Sequence, residues 1–171
     1  MKLSVEKALR FTGEPQEFEI TVPAPSDEFA EDDVSFAGDV TLHGSMTGIG
    51  ENVALDGVLT ATLLSPCARC LEEAKYDMKV PFEELFVRQP DPDHPDAYLY
   101  EGKEVDVTEL TIANIAMNLP MQFLCKEDCR GLCPMCGQNL NIGECKCDPE
   151  LERSAFSALK ALLDVKDDKE V

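Results

Sequence analysis

Eight cysteines arranged as four close pairs constrain this chain more than any other feature. The pairs are Cys67-Ala68-Arg69-Cys70, Cys125-Lys126-Glu127-Asp128-Cys129, Cys133-Pro134-Met135-Cys136 and Cys145-Lys146-Cys147. Two thiolates separated by two residues can share one Zn²⁺, because a tight turn brings both sulfurs to about 2.3 Å from the ion. Gly137 directly follows Cys136. Glycine there allows the left-handed backbone that turns amide N–H groups toward sulfur. Cys67 and Cys70 repeat that spacing at a turn expected between two strands. The wider gap of Cys125 and Cys129 falls within the usual range, and the gap of Cys145 and Cys147 is tighter than usual. Eight thiolates make two tetrahedral sets. Chain distance groups Cys133, Cys136, Cys145 and Cys147 as one small ribbon. The other set is then Cys67, Cys70, Cys125 and Cys129, clamping a sheet to a C-terminal lobe. Other pairings stay open, because Cys129 and Cys133 are close in the chain. Unmetallated thiols in a core are the competing reading, but four close pairs weigh against it. One or two zinc ions are expected, and an ion closed by four thiolates is structural.

The segment Met1 to Lys7 lacks the apolar stretch of a signal peptide, and no run of about 18 apolar residues offers a membrane helix. The chain therefore reads as cytoplasmic. In a reducing compartment clustered cysteines argue for metal or redox chemistry over disulfides. The charge is lopsided, with 34 acids against 15 bases in 171 residues. Phe11 to Ala68 holds eleven acids and no Lys or Arg. Such a face repels phosphate backbones and steers a basic partner. A surface that only keeps the chain soluble is the plainer alternative.

The pattern predicts an α+β fold. Residues 1–124 read as a mainly antiparallel β domain with one helix. Residues 125–171 read as a cysteine-rich zinc lobe and a C-terminal helix, packed as one unit with the first. Gln16 to Val22 alternates around Phe18 and Ile20. Val34, Phe36, Val40 and Leu42 share a face, Gly44 to Gly50 resembles a hairpin or bend, and Leu55, Leu59, Ala61 and Leu63 follow in phase. Tyr76, Met78, Val80 and Phe82 alternate with Lys75, Asp77 and Lys79. Consecutive period-two runs with short connections predict a meander with one buried face. Gln89 to Asp96, with three prolines, is a loop. Tyr98 to Val107 fits a hairpin around Gly102 and Lys103. The period then turns helical: Leu110, Ile112, Ala113, Ile115, Ala116, Met117 and Leu119 form a wide stripe, with Thr108 as N-cap and Pro120 as stop. A last helix is expected from Asp148-Pro149-Glu150, with Leu151, Ala155, Leu159, Leu162 and Leu163 on its apolar face.

Nothing else in the sequence points to catalysis. His43 and His94 lack the spacing of a catalytic pair or a metalloprotease helix. Gly48 to Asn52 has no phosphate-loop lysine. Glu83 and Glu84 are adjacent on an expected strand and so face opposite ways; Asp32 and Asp33 read as a solvated edge. Tryptophan is absent, which weakens any base-stacking surface.

Two blocks of residues resemble a known family. Cys67-Ala68-Arg69-Cys70-Leu71 after a long strand is similar to the Cys-x-Arg-Cys-Leu signature of the YceD family, the large ribosomal RNA subunit accumulation proteins. Val107 to Leu110, Leu119-Pro120 and the run Cys125 to Asn141 resemble it too. The resemblance implies a non-catalytic role in accumulation of the large-subunit ribosomal RNA. The partner expected is a basic ribosomal protein or a precursor large subunit. Arg69, Lys126, Arg130 and Lys146, beside the cysteines, leave a weak rRNA contact open. A different class, a redox-sensing zinc chaperone with a thiolate switch, would use the same cysteines, and a plain structural module is a third reading.

Overall fold

The computed structural model describes residues 1–147 of the chain. The C-terminal helix expected from Asp148 lies outside the described residues. The fold is α+β and mostly strand. Its elements are β1 (Lys2–Ser4), α1 (Glu6–Arg10), β2 (Gln16–Val22), a 3₁₀ helix (Ser26–Asp32), β3 (Ser35–Phe36), β4 (Val40–Ile49), β5 (Asn52–Pro66), β6 (Glu73–Val87), β7 (Tyr98–Leu99), β8 (Glu104–Asp106) and α2 (Thr108–Met117).

The main sheet runs β2-β4-β5-β6-β7, with β3 beside the far end of β5. β2, β4, β5 and β6 pair antiparallel, whereas β7 joins β6 in parallel. β5 and β6 are 15 residues each and form the spine. Their period-two pattern puts Val53, Leu55, Leu59, Ala61 and Leu63 of β5, with Met78, Val80 and Phe82 of β6, on one buried face. Val5 and Ala8, Phe29, Val105, Val107, Leu110 and Ile115 pack into the same core. Lys75, Asp77 and Lys79 face outward. Across the outer face, register aligns Glu17 with Ser45, Ser45 with Asp56, and Asp56 with Glu83. None of these three acids has an ion-pair partner among the described residues.

Several local expectations are corrected. Gly44 to Ile49 is not a bend but strand, and the turn falls at Gly50 and Glu51. The glycines are there for close approach. Gly44 and Gly57 are cross-strand partners, between Phe18 and Phe82 of the neighbouring strands. A Cβ on Gly44 would come within 2.1 Å of the Asp56 carbonyl, and one on Gly48 within 2.2 Å of the Ala8 carbonyl of α1. The run from Val34 to Leu42 is broken between β3 and β4, where Gly38 has φ 139°. Tyr98 to Val107 is not a hairpin: β7 pairs with β6, and β8 pairs with β1 in a separate two-stranded sheet. Thr108 is not the cap but the first helical residue, and its N–H donates to the Asp106 carboxylate at 3.0 Å. α2 ends at Met117, before Pro120, and Met117 is 86% exposed, outside the expected apolar stripe. Tyr76 is 41% exposed and meets Phe123 edge to face, with ring centroids 6.1 Å apart. Among the described residues no helix is long and apolar enough to cross a membrane.

Candidate metal centres

The turn from β5 to β6 carries the first cysteine pair. Cys67 N–H donates to the Glu72 carbonyl at 2.8 Å, and Leu71 N–H returns to the Cys67 carbonyl at 2.9 Å. Closing that loop places Leu71 at φ 63°, although it has a side chain, and leaves it 69% exposed. The segment after α2 is held to this turn by Ala68 N–H donating to the Phe123 carbonyl at 2.8 Å. Arg69 Nη1 donates to the Cys129 carbonyl at 2.9 Å and the Glu127 carbonyl at 3.4 Å. These bonds bring the second pair under the first. Cys67, Cys70, Cys129 and Ala74 form a small buried cluster with Phe123, Leu124 and Leu132 packed on it.

The second centre repeats the knuckle. Gly137 N–H donates to the Cys133 carbonyl at 2.8 Å, and Gly137 has φ 73°, the left-handed backbone its position called for. Cys133 N–H donates to the Gln138 carbonyl at 2.8 Å, and Leu132 bridges Asn139. The loop then returns Cys145 and Cys147 to Cys133 and Cys136.

The sulfurs fall into two groups of four: Cys67, Cys70, Cys125 and Cys129, and Cys133, Cys136, Cys145 and Cys147. Within each group all four lie within 4.8 Å of one another. A tetrahedral ion with thiolates at about 2.3 Å has sulfur–sulfur edges of about 3.8 Å. Cys67 and Cys129 sulfurs are 3.8 Å apart, and those of Cys70 and Cys125 3.5 Å apart. All eight cysteines are free. Each group could therefore hold one metal ion.

Protonation follows from the crowding. Burial opposes ionisation of Cys67, but N–H groups of Cys125, Arg69 and Cys70 outweigh it and bring the thiol down to about 6. Burial likewise opposes Cys129, which is nonetheless lowered by the Asn141 amide and the Gly131 N–H. Cys133 comes down to about 7, through the N–H groups of Cys136 and Met135. Cys125 is pushed up to about 12 by its bond with Cys70, then by burial and the other sulfurs. Cys147 is pushed up to about 12 by Cys136, then by burial and Cys133. For Cys70 the Glu72 N–H favours the thiolate, but burial, Cys67 and Cys129 raise it overall. Four thiols at this distance do not all ionise unaided; a divalent cation among them removes the obstacle.

Two contributors carry no spacing signal. Asn141 Nδ2 donates to Cys129 Sγ at 3.3 Å, and Arg69 fixes the backbone of the same cysteine. Arg69, grouped in the sequence with residues that could touch RNA, is thus bonded locally, and Lys126 lies 3.9 Å from Asp128. Arg130 and Lys146 are exposed. His43 lies on β4 and His94 in the proline-rich loop, neither in a cysteine group.

The profile of the family described as large ribosomal RNA subunit accumulation protein YceD matches residues 55–163, a span holding all eight cysteines. An uncharacterised protein of Mycobacterium tuberculosis is 30% identical over 100 residues, 52% of this chain and 45% of its own. The uncharacterised protein YlbN of Bacillus subtilis is 24% identical over 145 residues, 83% of this chain and 84% of its own. The large ribosomal RNA subunit accumulation protein YCED homolog 1, chloroplastic, of Zea mays is 25% identical over 128 residues, 56% of this chain and 44% of its own. The chain spans about half the length of the mycobacterial relatives it matches. No solved structure matches it. With more than half of its residues inside the matched span, the chain belongs to the YceD family of large ribosomal RNA subunit accumulation proteins.

Proposed function

We propose that this protein is a non-catalytic, cytoplasmic factor in large ribosomal subunit assembly, with two structural Zn²⁺ ions, that docks a basic ribosomal protein or a precursor particle. The observation that carries the reading is the family match across the span that holds both cysteine centres. The ions would be held by Cys67, Cys70, Cys125 and Cys129, and by Cys133, Cys136, Cys145 and Cys147. Thiolate donors suit zinc, and four of them leave no open position for chemistry on a substrate. A net charge of −19, with Glu17, Asp56 and Glu83 on the outer sheet face and without an ion-pair partner among the described residues, favours a basic partner. Like charges opposite one another in a sheet cost stability, and a cationic partner would relieve that cost.

The test is capture with tagged protein, scored for ribosomal proteins and precursor rRNA, at two salt concentrations. Glu31 and Asp33 are exposed at the end of the 3₁₀ helix, so Glu31→Gln with Asp33→Asn is expected to leave folding unchanged. The expected outcome is an on-rate for the basic protein reduced roughly threefold, with a weaker salt dependence. Stronger rRNA binding with no loss of protein binding would end the docking reading. A second reading, the redox-sensing chaperone, has one observation in its favour: Cys136 is exposed. Mild peroxide separates the two, because only the switch releases zinc and gains holdase activity.

A further inference from the structure

We infer that the two cysteine centres are coupled, and that Asn141 is the positioning residue through which the second centre holds a ligand of the first. The inference rests on the metal reading above.

Asn141 lies on the loop between Cys136 and Cys145, so its place in the chain belongs to the second centre. Its side chain does not serve that centre. The carboxamide Nδ2 donates to Cys129 Sγ at 3.3 Å, and Oδ1 accepts the Arg130 N–H at 2.9 Å. The Arg130 bond fixes which end of the amide faces the sulfur. Asn139 Oδ1 accepts both the N–H and the Nδ2–H of Asn141, each at 2.9 Å, which locks the rotamer. Asn139 in turn bridges Leu132, directly before Cys133, and Leu140 N–H donates to the Gly131 carbonyl at 2.9 Å. A short ladder therefore ties the loop to the Cys129–Cys133 segment that joins the centres.

A donor aimed at a ligating thiolate spreads its charge, orients it and slows its protonation and escape. That donor is available to Cys129 only while the 137–144 loop keeps its shape. The loop is pinned at its ends by Cys136 and Cys145, two members of the second group. Metal in the second centre thus preorganises the support for the first, and its loss withdraws that support. The second centre is the more open of the two: Cys136 is exposed, Cys145 and Cys147 are half-buried and Cys133 is buried, whereas in the first Cys125 is exposed and Cys67, Cys70 and Cys129 are buried. A chelator or oxidant therefore finds more sulfurs within reach at the second centre, and attack there loosens the first through Asn141.

The experiment uses the full-length zinc-loaded chain. Iodoacetamide labelling is followed peptide by peptide, with released Zn²⁺ read by a chromophoric chelator. Asn141→Asp keeps the acceptor for Arg130 but replaces the donor with an anion beside the thiolate. The expected result is that Cys125 and Cys129 label about 10-fold faster or more, while Cys133, Cys136, Cys145 and Cys147 keep parental rates. Asn141→Ala moves the same way by less. Cys147→Ser, which opens the second centre, speeds the first as well, and adding Asn141→Ala to it brings little further change. Unchanged first-centre rates in Asn141→Asp or in Cys147→Ser overturn the coupling, as does a uniform acceleration of all eight cysteines in Asn141→Ala. A parental protein that carries no zinc and labels at free-thiol rates throughout sinks the metal reading itself, a different result from either.

Discussion

Asp106 sits where the start of the chain meets α2. Its carboxylate accepts from the Met1 ammonium at 2.8 Å and from the Thr108 hydroxyl at 2.5 Å and N–H at 3.0 Å. The ammonium, then the Thr108 bonds, hold its carboxyl at about 2. A lowered acid contributes stability above its unfolded value, near 4, and loses it as pH falls toward 2. The side chain is 57% exposed, so solvent screening reduces the contribution to about 1 kcal/mol. Asp106→Asn should therefore cost about 1 kcal/mol in urea unfolding at pH 7, with the gap to the parent narrowing steadily below pH 4. A gap as wide at pH 3 as at pH 7 would assign the loss to packing. Single-residue roles of this kind were largely hidden in the sequence. The close cysteine pairs were readable because their spacing is a local property. Asn141 and Asp106 were not, since their partners lie elsewhere in the chain and no periodicity marks a donor to sulfur or a clasp on an ammonium.

At the level of elements, alternation exposed β2, β5 and β6, because one face of each is buried and the other wet. It failed where pairing is decided at a distance. β7 and β8 have two and three residues, too few for a pattern, and their partners, β6 and β1, are set by the core beneath them. Gly44 was misread for an instructive reason: glycine marks both turns and places where backbones crowd, and sequence alone does not separate them. The crowding makes a sharp prediction. Gly44→Ala drives a methyl into the Asp56 carbonyl at 2.1 Å, with no flexible side chain to give way. The β4–β5 ladder has to part there, at a cost of about 3 kcal/mol. Thermal unfolding of Gly44→Ala beside Gly143→Ala, whose added methyl would meet only the end of the Gln138 side chain at 3.4 Å, checks it; equal melting temperatures would show that the strands have slack.

Across the whole molecule, the two centres differ in what they join. The first fastens the β5–β6 turn to the segment after α2, and the second closes a short loop that reaches the first through Asn141. Purified protein should carry close to two Zn²⁺ under the metal reading, and Cys133→Ser should remove about one of them directly. Cys67→Ser should raise hydrogen exchange at the ends of β5 and β6 as well as after Phe123, a footprint that Cys133→Ser, acting on the first centre only through Asn141, reproduces weakly. Identical exchange maps for the two variants would mean that the sulfurs are shared differently. The separation of the ligands along the chain has a further consequence, for the order of assembly. Cys67 and Cys129 are 62 positions apart, with the whole of β6 and α2 between them. The second set runs only from Cys133 to Cys147. Closing a short loop costs little entropy and is fast, whereas the long closure has to wait for the strands that shorten it. A newly made chain would thus capture its first ion at the last cysteines to be synthesised, and only a finished sheet could take the other.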